Sequence, residues 1–200
     1  MSIPQTYNDF LRGARFVTFQ EANERAKWLM EGIKEHHTKS KGRTDEEIMH
    51  QSMRGVICEL GIKQALNGQM NDQEFDYRDR STHGYDLTAY DNAKIEIKLH
   101  KDKYFSFYPA NIKTMLNNIA ENVFDYIVTA SFYQDIREGG YVVYPRLLIN
   151  PKTFRQYATV SNYGRNKPMW YNHHAAAKDG QCIIFNESVI NSLQVDWNMI

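Results

Sequence analysis

Residues 85–101, YDLTAYDNAKIEIKLHK, constrain the fold more than any other stretch of the chain. Ile95, Ile97 and Leu99 alternate with Glu96, Lys98 and His100, so a strand here has one apolar and one ionic face. The run before it divides in the same way, with Tyr85, Leu87 and Ala89 against Asp86, Thr88 and Tyr90. Directly opposed residues of an antiparallel pair share a face. A two-residue loop at Asp91-Asn92 would set Asp86 against Ile97 and mix the faces. A three-residue loop, Tyr90-Asp91-Asn92, sets Asp86 against Glu96 and Leu87 against Ile95, and Asn92 tolerates the left-handed backbone that such a loop needs. Hydrophobic register therefore predicts two carboxylates side by side.

That proximity has a cost. Two like charges about 4 Å apart repel by roughly 4 kcal/mol near a protein surface. Protonation of one acid, pairing with Lys98, or a bound divalent cation would each relieve it. Converging acidic oxygens suit Mg²⁺, a hard ion that keeps several waters and adds substrate phosphate oxygens. The preceding helix supplies a third acid, because Glu59 falls in line with Ile48, Ile62 and Leu66 on the apolar stripe. A buried carboxylate needs a partner. Lys63, one turn on, is one candidate; the Asp86–Glu96 cluster, reached over the sheet, is the other.

The rest of the chain reads as mixed α and β. A capping box at Thr18–Glu21 opens a helix to about Glu35, and a second at Thr44–Glu47 opens one to about Asn67, where Asn-Gly stops it. Between them, 36–43 is a polar, basic loop. Strands follow at about 74–79, 84–90 and 94–100. Pro109 can occupy the first turn of a helix to about Asn122. The apolar, β-branched run 124–133 reads as a buried strand. A further strand is expected at 141–149, where Pro145 argues for an edge or a break. Residues 151–180 are mixed, and 181–185 is a last short strand. The fold class is α/β (α+β), a single domain of 200 residues with a helical N-terminal part, 1–43, and a basic, aromatic C-terminal part, 139–200.

Net charge is zero, with 24 basic and 24 acidic residues, so only the distribution of charge points to a partner. Residues 139–178 contain no Asp or Glu, while Arg146, Lys152, Arg155, Arg165, Lys167 and Lys178 interleave with Tyr157, Tyr163, Trp170, Tyr171, His173 and His174. Cations that pair with phosphates beside rings that stack on bases would suit nucleic acid, with Arg146, Lys152, Arg155, Arg165, Lys167 and Trp170 as the candidate contacts. A solvated loop region whose acids lie elsewhere gives the same pattern. Cys58 and Cys182 are too few and too far apart for a disulfide framework or a metal site, which points to a reducing, cytoplasmic compartment. No apolar run approaches the roughly 20 residues that a membrane-spanning helix needs. His36-His37 and His173-His174 are adjacent pairs whose side chains diverge, which disfavours zinc. No GxxxxGK loop and no serine-elbow motif is present.

A helix carrying Glu59, then Asp86, then Glu96-Ile97-Lys98 on consecutive strands resembles the core of the PD-(D/E)XK nuclease superfamily. Glu96-Ile97-Lys98 is the one ExK in the chain, and Tyr85 stands where that family often has Pro. The resemblance covers about residues 45–133 and implies a restriction-endonuclease-like αβββαβ core. It implies that Asp86, Glu96 and the Ile97 backbone carbonyl ligate Mg²⁺, or Mn²⁺ in its place. It also implies that Lys98 activates water and that Glu59 positions water or a second ion. The expectation is a metal-dependent DNA endonuclease, RNA being an alternative substrate, acting as a homodimer. A non-catalytic nucleic-acid-binding module, or a protein-binding inhibitor or scaffold on the same fold, is the rival reading. His100 lies one step beyond Lys98 on the same face, and no chemistry is assigned to it.

Overall fold

The computed structural model describes residues 3, 5–35, 42–72, 84–100, 105–107, 109–160 and 169–186. In chain order the elements are α1 (Gln5–Phe10), β1 (Arg15–Thr18), α2 (Phe19–Glu35), α3 (Asp45–Leu66), β2 (Gln69–Met70), β3 (Leu87–Thr88), β4 (Lys94–Leu99) and β5 (Phe105–Phe107). There follow α4 (Pro109–Ala120), β6 (Tyr126–Asp135), β7 (Gly140–Ile149), a 3-10 turn (Pro151–Thr153), α5 (Phe154–Tyr157), β8 (Ala158–Val160), β9 (Met169–Tyr171), α6 (His173–Lys178) and β10 (Cys182–Ile184). The expected strand at 74–79 lies outside the described residues. The strand expected at 84–90 is limited to Leu87–Thr88.

Both long helices begin where their capping boxes predict. The Thr18 hydroxyl accepts the Glu21 N–H at 3.1 Å while the Glu21 carboxylate accepts the Thr18 N–H at 2.9 Å. Thr44 and Glu47 repeat the exchange at the start of α3. Reciprocal caps satisfy backbone donors that the first turn leaves open. At its other end α3 stops at Asn67 in the left-handed conformation, φ 46°.

The main sheet runs β1-β7-β6-β4-β3-β2, with β10 also pairing β7. Here β4 and β6 are parallel, joined by a crossover through α4, and the other pairs are antiparallel. Strands β2 to β5 lie between helices α3 and α4 and β6 follows α4, a mixed α and β order in which β5 joins a second sheet, β5-β9-β8. Residues 151–180 supply β8 and β9 of that sheet together with α5 and α6.

Strand parity assigns the two sheet faces. Ile95, Ile97, Val128, Val143 and Leu148 pack with Ile57, Cys58 and Ile62 of α3, and α2 lies against α3. Ile127, Leu147 and Ile149 on the opposite face pack with Met115, Phe154 and Tyr171. Cover on both sides explains why β6 reads as an unbroken apolar run.

Pro145 does not mark a sheet edge, but the pairing of β7 is interrupted there. β7 is paired on both sides, with β1 taking 140–143 and β10 taking 147–149 along one edge. Pro145 falls in the gap between these partners, where no ladder bond from its nitrogen is required. Its carbonyl accepts from Asn186 Nδ2 at 2.9 Å. Across the strand the pairing steps from Thr129–Leu147 to Ala130–Pro145, which leaves Arg146 as the extra residue of a bulge.

Candidate active site

The hairpin has the register that face parity demands. Leu87 pairs with Ile95 and Thr88 with Lys94, and the Ala89 N–H donates to the Ala93 carbonyl at 2.8 Å, closing a three-residue loop. Asn92, the third loop residue, has φ 66°. Asp86 lies one residue before this ladder, close enough to Glu96 for its charge to act on that carboxyl. The Asp86 N–H donates to Ile95 O at 2.9 Å, and the Asp86 carboxylate accepts the Ile97 N–H at 2.5 Å. The Glu96 Oε1 atom and the Lys98 Nζ atom form a close ion pair.

Asn71, just past β2, clamps this arrangement. Its N–H donates to Asp86 O at 3.0 Å and its Nδ2 to Tyr85 O at 2.9 Å. Sequence reasoning missed it, because an asparagine after a two-residue strand carries no spacing signal. Tyr85, where the resembling family often has Pro, places its ring under the Lys94 ammonium at 5.0 Å.

The site's electrostatics pull in opposite directions. Burial, then the charge of Asp86, pushes the Glu96 carboxyl up to about 7, although Lys98 draws it down. Burial disfavours the Lys98 ammonium, but Glu96, Asp86 and Glu59 together outweigh that effect and raise its pKa. Lys98 is therefore a fixed cation beside an acid that titrates near neutrality. The Lys98 side chain keeps 29% exposure against 12% for Glu96, so water reaches the ammonium more readily than the carboxyl.

Glu59 is buried, as its place on the apolar stripe predicts. Its field reaches Lys98, but α3 covers the opposite face of the sheet, and Glu59 does not join the other two acids in a cage. Among the described residues no three His, Cys, Asp or Glu side chains form a metal-holding group. Two carboxylates from adjacent strands, one destabilised by the other's charge, still form an oxygen donor set that fits one hard divalent ion completed by water and phosphate.

Beyond Lys98 the same face carries buried polar groups. His100 Nδ1 lies 3.1 Å from Thr129 Oγ1, Ser131 Oγ donates to His100 O at 2.6 Å, and Arg146 Nη1 reaches Ser131 Oγ at 3.2 Å. Of the candidate nucleic-acid contacts, those among the described residues differ in exposure. Arg146 is 7% exposed and turned into the sheet. Lys152 sits at a recess of about 220 Å³ with Asn122, Asp125 and Asn150. Arg155 is exposed on α5 and Trp170 is 40% exposed on β9. Arg165 and Lys167 lie outside the described residues.

No helix of the described residues is long and apolar enough to cross a membrane. Comparison with the curated proteins gives no match. The family model of bacteriophage T4 endonuclease IV matches residues 6–173, a span holding Glu59, Asp86, Glu96 and Lys98. Because that match runs over most of the chain and through the whole carboxylate–lysine cluster, the protein belongs to the bacteriophage T4 endonuclease IV family, a family of nucleases.

Proposed function

We propose that this chain is a metal-dependent DNA endonuclease that hydrolyses phosphodiester bonds by PD-(D/E)XK chemistry. One observation carries the reading: the Asp86 carboxylate accepts the N–H of Ile97, the residue after Glu96, with the Lys98 ammonium against Glu96. Membership of an endonuclease family supports a nucleic-acid substrate. Asp86 and Glu96 would hold Mg²⁺ or Mn²⁺, with the Ile97 carbonyl beside them. The bound ion supplies an acidified water and neutralises charge on the scissile phosphate.

The protein's own groups do the rest. Lys98 stays protonated, so it acts as a hydrogen-bond donor rather than a base. It orients the attacking water and meets the negative charge that develops on the phosphate. Asp86, tied to the Ile97 N–H, keeps the hairpin closed at the reacting edge. Glu59 helps to keep Lys98 charged from beneath. Cutting both strands of a duplex is simplest with two copies, so we read the active form as a homodimer.

The Glu96–Lys98 pair would equally serve a non-catalytic nucleic-acid-binding module. Incubation of DNA and RNA with Mg²⁺, Mn²⁺ or EDTA separates the two readings. Cleavage of DNA with either metal and none in EDTA is expected. Salt-sensitive binding without cutting would select the binding module instead.

A further inference from the structure

We infer that the groove beside Trp170 receives one nucleobase of the bound DNA; this rests on the nuclease reading above and assigns a subsite to it. The groove has a volume of about 270 Å³ and is lined by Thr159, Trp170, Tyr171, Asn172, His173 and His174. Its walls are largely flat rings. Tyr171 and His173 are buried and form the floor, whereas Trp170 stands at the rim. That size falls just below the range of small-molecule pockets, about 300–1,000 Å³, which suits one planar base.

The groove's floor touches the end of the strand that carries Lys98. His100 follows Lys98 on the same face of β4, about 7 Å along the strand at roughly 3.3 Å per residue. The His173 ring lies edge-on to His100 with centroids 6.3 Å apart. His100 and His173 are buried, so the groove lies apart from the reacting edge and takes a flanking nucleotide, not the scissile one.

Charge agrees with such an occupant. No Asp or Glu occurs from 139 to 178, the segment that supplies every lining residue. The nearest acid in sequence, Asp179, accepts the Tyr157 hydroxyl at 2.7 Å. Asn172 is committed through Oδ1 to the Ala175 N–H, which fixes the turn between β9 and α6 and hence the rings on either side of it. Exposed His174 brings a ring nitrogen to the rim, where it can meet a base edge.

The test is binding in a Lys98→Ala background, measured with a short DNA oligonucleotide and with the same oligonucleotide made abasic throughout. Trp170→Ala should weaken binding of the intact oligonucleotide roughly five- to 100-fold, the range expected for one lost base stack. It should leave abasic binding unchanged, and Trp170→Phe should stay near the parent. Equal losses on both oligonucleotides, or no loss on either, would overturn the subsite. Cleavage by Lys98→Ala would instead reject the catalytic assignment, and the binding comparison would still stand.

Discussion

The Asp86 carboxylate accepts the Ile97 N–H at 2.5 Å, taking a backbone donor of β4 just where β3 has ended. The side chain thus extends the hairpin by one bond, which holds it at the Glu96–Ile97 peptide. Asp86→Asn keeps an acceptor for Ile97 and removes the charge that destabilises Glu96. It should melt at or above the parent's temperature in EDTA, and it should lose the stabilisation that added Mg²⁺ gives the parent. Loss of several kcal/mol of charge stabilisation corresponds to a fall in cleavage of at least about 100-fold. A variant that melts lower and still responds to Mg²⁺ would show that Asp86 is structural only.

Glu96 makes stability depend on pH. Its folded pKa, about 7, lies above the ordinary value of 4.5, so the folded state holds the proton more tightly than the unfolded state. The resulting stability is fully present below about pH 4.5 and is lost as pH rises through about 7. Denaturant melts of metal-free protein at pH 5 and 7.5 should show this decline. Glu96→Gln should flatten it, and Mg²⁺ should shrink it by favouring the carboxylate. An unchanged slope in Glu96→Gln would assign the titration elsewhere. Lys98 adds nothing in this window, because its raised pKa moves its own loss of stability to more alkaline pH.

Asn71 acts through Asp86. Asn71→Ala removes the Nδ2 bond to Tyr85 O and should cost about 1 kcal/mol of stability. Its more telling effect should be a higher Mg²⁺ concentration for half-maximal cleavage, with the rate at saturating metal largely restored. A lowered saturating rate with unchanged metal dependence would contradict a positioning role.

The hairpin register was legible in the sequence because period-two alternation leaves few choices, and a slip of one residue would have buried Glu96 and Lys98 among Ile57 and Ile62. Asn92 settled the loop length. Glu59 was legible as buried, since helical phase needs no tertiary knowledge, but its distance from the other acids depends on how α3 crosses the sheet. Pro145 misled about the edge for a related reason. A proline excludes a donor on one side of one residue, and only tertiary structure shows that β1 ends and β10 begins around that position. Arg146 belonged to a basic stretch in sequence, yet the bulge turns it inward toward Ser131.

The basic C-terminal part makes its own prediction. Neutralising Arg165 and Lys167 together should weaken DNA binding and flatten its salt dependence. Each lost phosphate contact lowers the log–log slope by about 0.9 on duplex and about 0.7 on a single strand. An unchanged slope would move the contacts elsewhere, with the basic stretch 36–43 next to be tested.

The most direct measurement is cleavage by Lys98→Ala in Mg²⁺, beside a melting curve of the same preparation. The hydrophobic face of β4 is untouched by this change, so the variant should unfold cooperatively near the parent's temperature and have lost most of its cutting. Cleavage at the parent's rate by a folded Lys98→Ala protein would contradict the assignment of this hairpin as the active site.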